Sequence, residues 1–217
     1  MRAGAEVIAL EVDGTLAAQL RCRFASTPSV AVVEGDVLAW SRPDRPFAVV
    51  ANLPFARSGA ILDRLLGDPG SGLRRADVIV QWELAVKQAA VWPATMRATY
   101  WGAWWELSVA RRLARSAFAP PPAVFAAVLR IVRRERPLVA VHRSAAYRRL
   151  LDHAFSSRQP LTRCLAPYAS RRELKRLAAV HGFDPAARPR DLDGRQWAAV
   201  FAAVDAGSAR SEPKSTP

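Results

Sequence analysis

The sequence predicts an α/β fold in which a helix-covered sheet is followed by a small all-helical domain. From the start of the chain to about residue 130, apolar runs typical of buried strands alternate with helical stretches. From about Leu138 onwards, the apolar residues recur at helical spacing instead. A length of 217 residues suffices for one domain with its own core and a small appendage.

Apolar runs predict the strands of the first part, and amphipathic stretches between them predict helices. The strands are placed at residues 7–13, 30–36, 47–51 and 126–132, and the helices at 14–24, 58–66 and 82–90. In the first helix Leu16, Leu20 and Phe24 lie four residues apart, so we expect that face to be buried.

The second part predicts three helices. Two apolar stripes mark the first and the last of them: Tyr147, Leu150, Leu151, Ala154 and Phe155, and then Trp197, Val200, Phe201 and Val204. Ser170 and Glu173 have the spacing of a capping box that opens the middle helix. Basic side chains fall mostly off these stripes and should face water or a bound partner: Arg143, Arg148, Arg149, Arg171, Arg172, Lys175 and Arg176. Residues 207–217 are polar and rich in Pro and Ser, which predicts a disordered tail.

The segment Asn52-Leu53-Pro54-Phe55 directly follows a predicted buried strand. The Asn side-chain oxygen and the next backbone carbonyl can both accept hydrogen bonds from the exocyclic amine of a flat base. This leaves the nitrogen lone pair free to attack an electrophile, while Pro54 stiffens the turn and Phe55 offers a ring for stacking. Taken alone, the four residues fit an ordinary strand-end turn with a core Phe equally well.

The order of these motifs resembles the S-adenosylmethionine-dependent rRNA adenine N6-methyltransferases. The motifs are a strand ending near Glu11, a strand ending in Gly35-Asp36, and the Asn-Leu-Pro-Phe strand; Asp77–Ala85 and Ala117–Val124 match later segments. The sequence Gln81-Trp82-Glu83 looks more like the erythromycin-resistance (Erm) branch, which acts on 23S rRNA, than like the small-subunit dimethyladenosine transferases. The resemblance implies a Rossmann-like methyltransferase sheet over residues 1–136 and a basic helical RNA-binding domain over 137–206.

The resemblance also implies roles for individual residues. Glu11 would accept hydrogen bonds from the ribose hydroxyls of S-adenosylmethionine, Val12 would pack on its adenine, Asp36 would accept from the adenine amine, and the Val37 N–H would contact a ring nitrogen. Asn52, which would also border the cofactor, and the Leu53 carbonyl would hold the target amine. Phe55 and Phe118 would stack on the flipped adenine. The implied consequence is resistance to macrolide, lincosamide and streptogramin B antibiotics.

One expected feature of the family is missing from the sequence. A first strand and a Gly-rich loop, which lets the backbone approach the methionine end of the cofactor, should precede the segment that begins near Ala5. We therefore expect a sheet truncated at its N-terminal side, without one central strand, and weak cofactor binding. Either a start codon called too late or a true loss of the segment would explain this. Two alternatives to an Erm-type enzyme stay open: a small-subunit dimethyladenosine transferase, and a catalytically inactive RNA-binding remnant.

The charge of the chain is divided unevenly between its halves. Residues 1–108 hold 11 basic and 11 acidic side chains, whereas residues 109–217 hold 21 basic and 8 acidic ones, so the whole net charge of +13 lies in the second half. Such asymmetry predicts a polyanion partner; a solvated helical surface is the simpler alternative.

Other side chains exclude several classes of function. Two cysteines and three scattered histidines have no metal-binding spacing, so we expect no metal site. No apolar run is long enough to cross a bilayer, and the start lacks a signal peptide, so we expect a cytoplasmic protein, most simply a monomer. We predict that the Trp-rich stretch belongs to the core rather than to a stacking surface; it contains Trp82, Trp92, Trp101, Trp104 and Trp105.

Overall fold

The structure is a computed structural model that describes residues 4–92 and 94–211. Its strands are β1 (Val7–Glu11), β2 (Val30–Glu34), β3 (Phe47–Asn52), β4 (Leu73–Gln81), β5 (Trp105–Leu113) and β6 (Ala126–Arg133). Its helices are α1 (Gly14–Arg23), α2 (Ser58–Leu66), α3 (Trp82–Ala89), α4 (Met96–Gly102), α5 (Ser144–Ser156), α6 (Leu161–Cys164), α7 (Arg171–His181) and α8 (Gly194–Ser211).

The strands form two separate sheets. β1 pairs with β2 in parallel, and a four-stranded sheet has the order β3-β4-β6-β5, in which β3 and β4 are parallel and β6 is antiparallel to both of its neighbours. In β4, Ala76, Val78 and Val80 are fully buried, because this central strand lies under helices that include α2.

The region around β1 and β3 is more open than the sequence predicts. Among the described residues β1 pairs only with β2, and β3 pairs only with β4, so each has one free edge. As a result Val50 in β3 is 86% exposed and Ile8 in β1 is 40% exposed. The prediction that these strands are buried is therefore wrong in part, because no described strand pairs with their free edges.

Helix α1 shows the same effect. It begins and ends close to where the sequence predicts, with Asp13 as its N-cap and Phe24 as its C-cap. However, the predicted apolar face is not buried: Leu16 is exposed, Leu20 and Phe24 are half-buried, and Ala17 alone is buried within the helix. Leu16, Leu20 and Phe24 do lie on one helix, but no described element covers them completely.

The Trp-rich segment contains two elements that the sequence prediction missed. Residues 96–102 form α4 and residues 105–113 form β5. Trp101, Trp104 and Trp105 are buried in the core, as predicted, whereas Trp92 is 57% exposed, so that part of the prediction is wrong. The alternation of Trp105, Leu107 and Val109 was the available signal for the strand.

The second part contains the three predicted helices as α5, α7 and α8, together with the short α6. Ser170 and Glu173 form the predicted capping box at the start of α7, and Gly182 ends that helix with a positive φ of 69°. Tyr147 of α5 is fully buried against Tyr100 and Phe201, so one continuous core joins the helices to the sheet. The predicted boundary between residues 136 and 137 falls in the connection between β6 and α5 and stays a prediction.

The segment predicted to be a disordered tail, residues 207–217, begins inside α8, whose last residue is Ser211. Residues 212–217 lie outside the described part of the chain.

Candidate active site

Several strands end at one edge of the structure, where ligands of open α/β sheets bind. The loop after β3 is joined to β4 by a hydrogen bond of 3.0 Å from the Leu53 N–H to the Ile79 carbonyl. The connection between β5 and β6, residues 114–125, lies at the same edge because Ala126 is in register with Gln81 at the end of β4 and with Leu113 at the end of β5.

The Asn52-Leu53-Pro54-Phe55 loop is anchored on both sides. The Leu53 side chain is 6% exposed and lies in the core. The Pro54 carbonyl accepts hydrogen bonds from the Ser58 hydroxyl at 3.0 Å and from the Arg57 N–H at 2.9 Å. Ser58 is itself fully buried at the start of α2. The loop conformation is therefore set by the core below it and by α2 behind it.

Between these anchors, two hydrogen-bond acceptors are unused. The Asn52 side chain is exposed, and within the described residues neither its amide nor the Leu53 carbonyl has a hydrogen-bond partner. A side-chain amide oxygen and the carbonyl oxygen of the next residue, both without protein partners, are acceptors that one NH₂ group could use. The geometry is compatible with the predicted contact to an exocyclic amine.

Glu11 lies at the end of β1 and has one carboxylate oxygen in use. Its Oε1 accepts hydrogen bonds from the N–H groups of Val12 at 2.8 Å and Asp13 at 3.0 Å, which orient the carboxylate. No hydrogen bond among the described residues involves Oε2. Val12, next along the chain, is 65% exposed although apolar. A ribose diol and an adjacent base are ligands that this pair could bind.

Asp36 lies just beyond β2 and connects the first sheet to the Asn-Leu-Pro-Phe loop. One oxygen accepts a hydrogen bond from the Leu38 N–H at 2.9 Å, and the other pairs with the Arg57 guanidinium at 2.7 Å. The hydrogen bond from Arg57, followed by that from the Leu38 N–H, holds the pKa of Asp36 below its usual range, so this group is an anion at neutral pH. The Val37 N–H has no partner among the described residues, and the Val37 side chain packs against the core.

The three predicted strand-end groups are linked through their neighbours. The Glu11 carbonyl accepts a hydrogen bond of 2.9 Å from the Gly35 N–H, which joins the ends of β1 and β2. Asp36 is then joined through Arg57 to the loop that carries Asn52. No hydrogen bond or ion pair joins the side chains of Glu11, Asp36 and Asn52 to one another within the part of the chain that the structure describes.

The two predicted stacking residues are not brought into contact. Phe55 and Phe118 are both half-buried, and no ring contact joins them among residues 4–92 and 94–206. Phe118 lies in the β5–β6 connection, two strands away from β3 but at the same sheet edge, where its N–H donates to the Arg115 carbonyl at 3.2 Å.

Sequence reasoning missed two groups at this edge. Arg57 was not singled out, because only the fold reveals that it pairs with a carboxylate 21 residues earlier. Arg112 lies over the rings of Trp82 and Phe125, with its guanidinium carbon 5.0 Å and 4.2 Å from their centroids. The segment Gln81-Trp82-Glu83 drew attention to Trp82 in the sequence, but nothing in the sequence indicated that Arg112 would lie over its ring.

Comparison with known proteins agrees with this arrangement. The family described as ribosomal RNA adenine dimethylase matches residues 2–204. The chain belongs to the ribosomal RNA adenine dimethylase family. Its members are S-adenosylmethionine-dependent rRNA adenine methyltransferases, so the predicted family, enzyme class and fold class are confirmed.

Both branches of the family occur among the similar proteins. The chain is 34% identical over 207 residues to a ribosomal RNA small subunit methyltransferase A of Synechococcus, covering 91% of this chain and 72% of that protein. It is 32% identical over 196 residues to the mycinamicin-resistance protein MyrB of Micromonospora griseorubida, covering 90% of this chain and 62% of that protein. The crystal structure of the 23S rRNA methyltransferase ErmE superimposes with a TM-score of 0.80 at 25% identity, covering 92% of this chain and 82% of that one.

Two features are absent from the described residues, a metal-binding cluster and a membrane-spanning helix. No group of three or more His, Cys, Asp or Glu side chains is arranged to hold a metal ion. None of the described helices combines the length and apolar character that a membrane span requires.

Proposed function

We propose that this chain is an Erm-type enzyme that transfers methyl groups from S-adenosylmethionine to the N6 amine of an adenine in 23S rRNA. The observation that carries the proposal is the loop after β3, whose backbone is anchored at Leu53 and Pro54 while the Asn52 amide and the Leu53 carbonyl have no partners among the described residues. The proposed consequence is reduced binding of macrolide, lincosamide and streptogramin B antibiotics to the methylated ribosome.

The residues present fit the nucleoside half of the cofactor. We assign the ribose hydroxyls to Glu11, which has an unused oxygen, and the adenine ring to the exposed side chain of Val12. Asp36 has lone pairs left beyond its bonds to Arg57 and Leu38 and would accept from the adenine amine. The Val37 N–H would donate to a ring nitrogen. S-adenosylmethionine would supply the electrophilic methyl group of the reaction.

The protein contributes position rather than acid–base chemistry to the proposed reaction. The Asn52 side-chain oxygen and the Leu53 carbonyl each accept a hydrogen bond from the N6 amine of the target adenine, which turns the nitrogen lone pair out of the plane of the ring. Phe55 and Phe118 offer ring faces to the flipped base, and one stacked base is worth roughly 1–3 kcal/mol, comparable to the few kcal/mol that flipping costs. Removal of the extra proton to water needs no dedicated base.

The second part of the chain supplies RNA affinity in this proposal. We assign residues 1–136 to the methyltransferase domain and 137–206 to the basic helical domain. Of the basic residues predicted to face water or a bound partner, Arg143 is half-buried and pairs with Asp205, while the other six are exposed: Arg148, Arg149, Arg171, Arg172, Lys175 and Arg176. A monomer acting on ribosomal RNA in the cytoplasm is the simplest form of the proposal.

The small-subunit alternative is favoured by one specific finding, the 34% identity to a small subunit methyltransferase A. Incubation of the chain and labelled S-adenosylmethionine with protein-free 23S rRNA and with assembling small subunits separates the two. Incorporation into 23S rRNA supports the Erm-type assignment, and incorporation only into small subunits contradicts it.

Substitution of Asn52 tests whether its side-chain amide binds the target amine. Asn52→Ala should abolish methyl incorporation while RNA binding persists, because the amine loses one of its two acceptors. Val50→Ala is a matched control, since Val50 lies two residues earlier on the same strand and is exposed. Methyl incorporation at the normal rate by Asn52→Ala would refute the role of the loop. Binding of RNA without any incorporation by the unmodified chain would identify an inactive RNA-binding remnant instead.

A further inference from the structure

A groove along α3 has no role in the site described above. Its volume is about 680 Å³, and it is lined by Trp82, Glu83, Val86, Lys87, Ala90, Trp92, Ala94, Thr95 and Arg190. Val86 and Trp92 are exposed although they are large and apolar, and so is the adjacent Val91. Apolar side chains grouped on a surface mark an interaction site more often than single ones do.

The groove leads from the candidate active site towards the helical domain. Its first residue, Trp82, follows Ile79 by three positions, and the Ile79 carbonyl accepts from the Leu53 N–H. The eight residues of α3 extend for about 12 Å at 1.5 Å per residue. At the far end the Ala94 N–H donates to the Arg190 carbonyl at 2.9 Å, so the groove ends on the helical domain.

Trp92 is held in place while more than half of it stays open to solvent. Its indole N–H donates to the Asp191 carbonyl at 3.1 Å, which restricts the ring without covering it. Trp82 is restricted too, because Arg112 lies over its ring at 5.0 Å. Aromatic rings fixed before binding lose little entropy when a flat ligand stacks on them.

The charged residues of the groove fit an anionic chain. Lys87 and Arg190 line it, and neither forms an ion pair with another described residue. Glu83 is the acidic side chain among the lining residues, and it can accept hydrogen bonds from base amines or ribose hydroxyls. Alternating aromatic rings and cations are typical of surfaces that bind single-stranded nucleic acid.

We propose that this groove binds unpaired nucleotides of the RNA strand that carries the target adenine. One base stacks on the exposed ring of Trp92, and the phosphates are contacted by Lys87 and Arg190. Trp82 borders the path with a half-buried ring that Arg112 covers. The inference rests on the proposed function, because the nucleotides next to the target adenine would follow the groove away from the sheet edge at which the adenine is bound. Every base can stack on an aromatic ring, so the groove should increase RNA affinity and orient the strand without selecting a nucleotide sequence.

The test measures binding of a labelled single-stranded hexaribonucleotide to the full chain by fluorescence anisotropy. Trp92→Leu should weaken binding roughly 5- to 150-fold, the range of one lost stacked base. Trp92→Phe lacks the indole N–H but keeps a ring face, so it should recover most of the affinity. Val180→Ala on α7 is the control, because Val180 is exposed but lies outside the groove. Circular dichroism melting of each variant verifies folding.

The two cations are tested by salt dependence. Lys87→Gln and Arg190→Gln should each reduce the slope of log affinity against log salt by about 0.7 for each lost phosphate contact on a single strand. Trp92→Leu should leave that slope unchanged, since stacking releases no counterions. Unchanged slopes in both Gln variants would contradict the assigned phosphate contacts.

The outcomes separate this inference from the proposed function. If the unmodified chain binds no RNA, both are wrong. If it binds RNA and methylates 23S rRNA, but the groove variants bind equally well, the groove inference alone is wrong. If the groove variants weaken RNA binding and no RNA is methylated, the proposed reaction fails and the groove stands. A change in self-association of Trp92→Leu at constant RNA affinity would make the groove a protein-contact surface and overturn the inference.

Discussion

The hydrogen bond between Ser58 and Pro54 should stabilise both the fold and the loop that presents Asn52. Ser58 is fully buried, and its hydroxyl donates to the Pro54 carbonyl at 3.0 Å. Ser58→Ala removes this bond and almost no volume, so the cavity that it creates is negligible. The Pro54 carbonyl keeps its second bond, from the Arg57 N–H at 2.9 Å, and is not left without a partner.

The expected cost follows from this geometry. A neutral intramolecular hydrogen bond contributes about 0.5–1.5 kcal/mol to stability, and the remaining bond to Pro54 avoids the larger cost of an unpaired buried carbonyl. For a chain of this size a loss of about 1 kcal/mol lowers Tm by roughly 2–4 °C. Methyl transfer should fall further than stability does, because misplacement by about 1 Å can reduce a rate by 10²-fold.

Ser71→Ala provides the matched control. The Ser71 hydroxyl is buried as well but has no hydrogen-bond partner among the described residues. Its removal should leave the free energy of unfolding unchanged or raise it, because an unpaired buried hydroxyl is itself unfavourable. Urea unfolding of both variants, followed by tryptophan fluorescence, measures the difference. Equal stabilities of Ser58→Ala and Ser71→Ala would refute the claim that Ser58 anchors the loop.

Three further perturbations test other parts of the structure. Tyr147→Phe removes a fully buried hydroxyl that has no described partner, so Tm should stay constant or rise by the equivalent of up to about 1–3 kcal/mol; a clear drop in Tm would contradict this. Arg57→Ala should raise the pKa of Asp36 towards its usual range, because the main cause of its lowering is lost. A lowered carboxyl pKa stabilises the fold at neutral pH, and this stability is lost as the pH falls through the folded-state pKa. In Arg57→Ala the free energy of unfolding should therefore depend less steeply on pH on the acid side. An unchanged Asp36 titration by NMR would exclude the pairing. Hydrogen exchange should be faster in β1 and β2 than in β4 and β6, because a two-stranded sheet with exposed apolar residues is weakly stabilised; equal protection would show that the first sheet is as stable as the second.

Local patterns in the sequence were enough to predict most helices and the position of the Asn52 loop. The bounds of α2 agree with the prediction at both ends, because Ile61, Leu62, Leu65 and Leu66 repeat at helical spacing and all contact the core. Asn52 could be placed because a continuous apolar run ends directly before it and Pro54 interrupts regular structure.

Other features depend on partners that lie far apart along the chain. The link between Asp36 and Arg57 depends on how the two sheets lie relative to each other, and spacing in the sequence contains no record of it. Trp92 was assigned to the core because it is aromatic, yet a single hydrogen bond to Asp191, 99 residues later, holds it at the surface.

By itself, the sequence determined the position of most helices, which family the chain resembles, and where its positive charge lies. These properties depend on side chains close together along the chain, so periodicity, caps and composition reveal them. Only the tertiary structure decided which apolar faces are covered: the stripe of α1 stays open beside a split sheet, whereas the stripe of α5 is buried. Burial requires a second surface at the right distance, and that surface comes from residues far away in the sequence.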